Sequence, residues 1–201
     1  MKQAALAAAI FSLCLAACAP GPADAPDDAA KADNSGMPAA PAPKQAAAPP
    51  PMPVDPAAST ALTLEGLGAL RIGQPVPAGS GWAERGAQIS DECRTVSSPD
   101  FPGVYAIVEA GKVRRITVGE RSDVKLVEGI GTGASEAEVR AAFPGFRESG
   151  HAYVDRPAKY LTAPNAAGGD VALRFEIGAD ARVSLVHVGT MPVLGYVEGC
   201  A

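Results

Sequence analysis

Apolar and polar positions divide the chain into three textures, each predicting a different kind of structure. An apolar run from Ala4 to Leu15 follows Met1-Lys2 and ends at Ala16-Ala17-Cys18. It is too short for a membrane-spanning helix, which takes about 20 apolar residues. From Ala19 to about Ser59 the pattern disappears, leaving almost only Ala and Pro, with Asp24, Asp27, Asp28, Asp33, Lys31 and Lys44 scattered through it. Its largest apolar side chains are Met and Val, too little to repay the entropy of ordering, so a disordered tether is expected. Runs such as Pro49-Pro50-Pro51 favour extended polyproline II and a reach on the order of 100 Å at full stretch.

From about Thr60 the pattern becomes periodic. Val104 to Glu109 and Lys112 to Val118 flank Ala110-Gly111, which predicts a hairpin. Leu173, Phe175 and Ile177 alternate with Arg174 and Glu176, the period of a strand with one wet face. Gly178 to Ala181 then turns the chain, and Arg182 to Val188 returns as its partner. Val193, Tyr196 and Val197 predict a last strand that delivers Cys200 to Cys93. One helix is explicit. Ser135-x-x-Glu138 is a capping box, Val139, Ala142 and Phe143 form an apolar face, and Pro144-Gly145 stops it.

Internal similarity groups these elements into two halves. Gly68-Ala-Leu-Arg-Ile-Gly73 parallels Glu128-Gly-Ile-Gly-Thr-Gly133, and Arg115 to Gly119 parallels Leu185 to Gly189. Where the second half has its helix, the first has Pro75, Pro77, Gly79 and Gly81, so a first-half helix is short, shifted towards Trp82 to Arg85, or lost. The fold expected is α+β: an antiparallel sheet flanked by one or two short helices, in two related halves of about 62–127 and 128–201. The expected organisation is a signal peptide at 1–17, a linker at 18–59 and a globular domain at 60–201.

Composition narrows the function classes. The net charge of -5 is mild and no Lys/Arg stripe forms, which argues against nucleic acid. Two of the four cysteines, Cys14 and Cys18, lie in or at the end of the apolar run. The remaining pair, Cys93 and Cys200, is expected to bond in an exported protein; two separate buried thiols are the alternative. With His151 and His187 the only imidazoles and no Cys-x-x-Cys or His-x-x-x-His spacing, no metal or other cofactor is expected. No Gly-x-Ser-x-Gly elbow is present, and Gly131-Thr-Gly133 lacks the lysine of a phosphate loop, so no catalytic residues are assigned. His151, with Tyr153, Asp155 and Arg156, reads as a surface polar cluster, with a binding site as the alternative. If Ile116, Val118, Val186 and Val188 face the core, then Arg115, Thr117, Leu185 and His187 share the opposite face, with Arg174 and Glu176 also directed outward. Those six residues form the candidate partner-binding surface. The same alternation also fits an ordinary solvated face or one covered by the chain's own elements.

Leu15-Ala-Ala-Cys18 after a short apolar run resembles the signal of bacterial lipoproteins. That resemblance implies cleavage before Cys18, acylation of its thiol with palmitate-type chains, and anchoring in a bilayer. Ala19 is not the aspartate associated with inner-membrane retention, so the resemblance implies an outer-membrane address facing the periplasm. An ordinary secretory signal with an incidental Cys18 is the alternative. Gly66 to Gly73, Gly129 to Val139, Gly111 to Ile116 and Tyr196 to Cys200 resemble a group of secreted bacterial lipoproteins of undefined role. More distantly, the repeated layout is similar to the tandem fold of beta-lactamase inhibitor proteins and to small outer-membrane assembly lipoproteins. Those families imply a helix-flanked antiparallel sheet that binds other proteins without catalysis, and an envelope protein is the partner expected here. A small-ligand or cell-wall-fragment binder, and an enzyme, are the other classes open.

Overall fold

The computed structural model describes residues 59–200. The expected signal peptide, Cys18 and all but the last residue of the expected linker lie outside them. Ten strands and one helix follow in order: β1 (Gly66–Leu67), β2 (Leu70–Arg71), β3 (Ala83–Glu84), β4 (Cys93–Ser97), β5 (Val104–Glu109), β6 (Lys112–Val118), α1 (Glu136–Ala142), β7 (Arg147–Gly150), β8 (Lys159–Thr162), β9 (Ala172–Ile177) and β10 (Val183–Gly189). β1 and β2 form a small hairpin; the other eight strands make one antiparallel sheet, ordered β3-β4-β5-β6-β10-β9-β8-β7. The architecture is therefore α+β, with two four-stranded meanders meeting where β6 pairs β10.

That meeting is nearly symmetric. Val186 pairs with Val118 and Val188 with Ile116 about a central Thr117–His187 pair whose members are 70 residues apart. Each of these strands carries one bulge at the corresponding place. Arg114 is the extra residue between Val113 and Arg115, and Ser184 the extra residue between Val183 and Leu185. The lead-in segments dock alike: Gly73 donates to Val113 O at 2.7 Å and Gly133 to Val183 O at 2.8 Å, while Val113 and Val183 donate to Gln74 O and Ala134 O, both at 2.8 Å.

One face of the sheet holds the main core. Val104, Ala106 and Val108, then Val113, Ile116 and Val118, then Leu173, Phe175 and Ile177, and finally Val183, Val186 and Val188 pack beneath Leu62, Leu67, Leu70, Leu126, Ile130 and Val139. Each such side chain contributes about 1.5–3 kcal/mol by leaving water. The helix forms where its capping box stands: Ser135 Oγ accepts the Glu138 amide at 3.3 Å, and Glu138 Oε2 accepts the Ser135 amide at 2.8 Å. It buries Val139, and Phe143 beyond it stacks among Phe146 and Phe175 with centroids 5.2–5.8 Å apart.

The first half has no α-helix among the described residues. Pro75 and Pro77 lack the amide donors a helix needs, so turns replace it, and Trp82 stacks on Phe101 at 5.7 Å to fill the space. The hairpin at Ala110-Gly111 has both turn residues left-handed, at φ 51° and 72°, the twist that matches flanking strands.

The last strand expected from Val193, Tyr196 and Val197 is not formed. Residues 190–200 instead fold as a strap across the sheet's second face, with a 3-10 turn at Val193–Gly195. Val193 and Leu194 are neighbours in sequence and both buried, at 1% and 0% exposure, which the alternating sides of a strand forbid. Pro192 also cannot donate to a ladder.

Candidate functional site

The second face is built by the residues alternating with the core. Across four strands, Tyr105, Thr117, His187 and Arg174 lie in one row by register. On one side of that row Ile107 pairs with Arg115; on the other, Glu176 pairs with Leu185. All six sequence candidates are thus gathered on one face. Their exposure, however, needs correction: Arg115, Thr117 and His187 are buried at 1%, 0% and 4%, and only Arg174, Glu176 and Leu185 retain partial exposure. At Arg115 the strap is the physical reason, because it covers the Ile107–Arg115 side, while Thr117 and His187 lie mid-sheet and bond to each other. Strict alternation from His187 through Leu185 would put Val183 on this face too, but it faces the main core, because the Ser184 bulge reverses the alternation there.

Cys93 and Cys200 are bonded, with Cα atoms 5.6 Å apart. The bond tethers a strap held by other contacts as well. Val193 packs with Cys93 and Ile107, while Leu194 sits among Ala163, Ala166 and Ala172. Arg115 Nη1 donates to Val193 O at 3.1 Å and Tyr196 O at 2.5 Å, Arg174 Nη1 donates to Leu194 O at 3.4 Å, and the Tyr196 hydroxyl donates to Glu109 at 3.1 Å. The guanidiniums meet carbonyls instead of carboxylates, and the Nε atoms of Arg115 and Arg174 are buried without a partner. Desolvation pulls both guanidinium pKa values down, partly offset at Arg115 by Tyr105 and Glu176 and at Arg174 by Tyr160 and Glu176. Burial, then the charges of Arg115 and Arg174, push the His187 pKa well below its ordinary value, and its Nδ1 lies 2.9 Å from Thr117 Oγ1.

The opposite side of the row is open. A trough of about 700 Å³ runs over it, lined by Ser97, Phe101, Tyr105, Glu120, Arg121, Glu176, Ser184 and Leu185 among others. Glu176 forms one wall and is held through Oε1, which lies 3.1 Å from His151 Nε2 and accepts Ser184 Oγ at 3.3 Å. His151 is itself fixed: its Nδ1 accepts the amides of Tyr153 and Val154, both at 3.1 Å, and its ring stacks on Tyr160 at 4.9 Å. Arg174 Cζ lies 3.9 Å from the centre of the Tyr160 ring.

Serine, carboxylate and imidazole are therefore adjacent, but in the wrong order for nucleophilic catalysis. The carboxylate stands between the other two, so this arrangement gives the imidazole no contact with the serine proton. Among the described residues, no group of three His, Cys, Asp or Glu gathers as a metal site, and no helix is long and apolar enough to cross a membrane.

Sequence reasoning missed Tyr105, His151, Tyr160 and Ser184 as members of this face. Tyr105 was legible from alternation along Val104–Glu109, whereas His151 reaches Glu176 through a tertiary contact that leaves no local pattern. No family model, curated protein or solved structure matches the chain.

Proposed function

We propose that residues 60–201 form a non-catalytic protein-binding domain displayed in the bacterial envelope on a lipid-anchored tether. In this reading Cys18 is the acylated first residue of the mature chain, the Ala/Pro stretch is a spacer, and the anchor lies in the outer membrane facing the periplasm. The equivalent bulges, lead-in contacts and strand pairing support two related halves. They also fit the distant resemblance to tandem-repeat inhibitor and assembly lipoproteins.

The observation that carries the binding role is the trough at the uncovered side of the second face, a concave surface with apolar and charged walls and a rigidly supported carboxylate. The test is a photocrosslinking residue placed at Leu185 or Ser97 in intact cells, with exposed Val127 as the control position. A discrete protein adduct from the trough positions alone supports the reading; adducts equal at Val127, or none, overturn it. The trough's volume also suits a cell-wall fragment, the second reading. Purified muropeptides would then shift trough resonances while no protein adduct forms.

A further inference from the structure

Each bulge is followed by one residue pair on the second face, Ile107–Arg115 in the first meander and Glu176–Leu185 in the second. Both pairs join one branched apolar residue to one charged residue. The chemistry is inverted between them: the charged member is a guanidinium on the inner strand β6 in one case and a carboxylate on the outer strand β9 in the other.

The first pair already holds a peptide. Val193 of the strap packs with Ile107, and the strap's carbonyls at Val193 and Tyr196 accept from Arg115. The second pair opens into the trough, with Glu176 met by the side chains of His151 and Ser184. A segment of the strap's kind would meet Leu185 with an apolar side chain, but at Glu176 it would need a donor where the strap offers acceptors. The hydrogen bond from Ser184 and the close approach of His151 fall on Glu176 Oε1, and Oε2 accepts no hydrogen bond among the described residues. Glu120 lines the same trough without an ion pair among them, and Arg121 is the single guanidinium in the lining.

We infer that the trough takes an extended peptide segment of a partner protein that sets an apolar side chain on Leu185 and a lysine or arginine side chain against Glu176. The inference rests on reading the trough as the binding surface, and names what that surface selects.

The full chain, labelled with nitrogen-15, is titrated with the capped peptide Ala-Val-Ala-Lys-Ala-Val-Ala, whose valines share the lysine's side when extended, and with versions carrying norleucine or glutamate in place of lysine. Saturable shifts at the amides of Tyr105, Gly119, Glu176 and Leu185 are expected with lysine, and about tenfold weaker binding with norleucine. Glu176→Gln should cost the lysine peptide about the same factor and leave the norleucine peptide unchanged. Glu120→Gln, at an exposed position, is a second variant that carries the test if Glu176→Gln loses its native spectrum. Equal affinity for the three peptides overturns the selection of a cation while leaving the trough a peptide site. No shift at millimolar lysine peptide, with trough crosslinks still present in cells, overturns the peptide class but not the binding role.

Discussion

The two sides of the second face share one backbone plan and differ in what covers them. Ile107–Arg115 lies under the strap, with its guanidinium satisfied by main-chain oxygens and its apolar member packed on Val193. Glu176–Leu185 stands at corresponding positions with no such cover, and a trough remains. A buried arginine without a carboxylate is costly unless hydrogen-bonded, so Arg115 needs the strap as much as the strap needs Arg115. Glu176 is satisfied from the side, by His151 and Ser184, and so tolerates an open front. The two charged residues are thus satisfied differently, Arg115 by a covering segment and Glu176 from its flank.

The largest expected effect comes from cutting the covered side loose. Cys200→Ser should lower unfolding stability by about 2–5 kcal/mol, since the bond joins residues 107 positions apart. Hydrogen exchange should quicken more at Leu194, whose amide donates to Thr190 O at 2.9 Å, than at Val186 in the central ladder. Equal loss of protection at both would mean the strap and the sheet open as one unit.

Next is Arg115→Leu, which removes two charge-assisted hydrogen bonds to the strap and should cost about 3 kcal/mol in urea denaturation. A loss under about 1 kcal/mol would show that the strap's other contacts and the disulfide hold it without Arg115.

Much of this plan is legible in the sequence, and the exceptions share a cause. The hairpin around Ala110-Gly111, the capping box at Ser135 and the alternation of Leu173, Phe175 and Ile177 are local patterns, and each folds as read. The grouping of Arg115, Thr117, Arg174, Glu176, Leu185 and His187 on one face follows from the same alternation. Their burial does not, because it depends on where residues 190–200 lie. Val193, Tyr196 and Val197 look strand-like in composition, yet consecutive apolar Val193-Leu194 and Pro192 make a covering turn. The Ser184 bulge escapes notice for another reason: one extra residue reverses the facing of Val183 with no mark in the residue types around it.

Between the two sides sits His187, and acid should expose its strain. Its folded-state pKa is depressed by burial and by Arg115 and Arg174, so the unfolded chain binds its proton first. The stability from keeping it neutral is present above the unfolded pKa, about 6.5, and is lost as pH falls below that value. The slope from this one group reaches at most about 1.4 kcal/mol per pH unit. His187→Asn keeps an acceptor for Thr117 and cannot titrate, so urea midpoints measured at about pH 7 and about pH 5 should differ less in the variant. An unchanged difference would assign the acid sensitivity to the carboxylates instead.

The smallest effect on stability, and the sharpest on the comparison, is expected from Leu185→Arg, which gives the open side the residue found at the matching place on the covered side. Leu185 is only partly buried and borders the trough, so the longer side chain can extend into solvent, and the unfolding free energy should change by no more than about 0.5 kcal/mol. The new guanidinium would stand directly across the strand pair from Glu176 and compete for its carboxylate. Titration with the lysine peptide should then show no saturable shift, although the spectrum stays native. Undiminished lysine binding would mean that Glu176 is not the selecting group and that the inverted chemistry of the two pairs has no bearing on what the trough accepts.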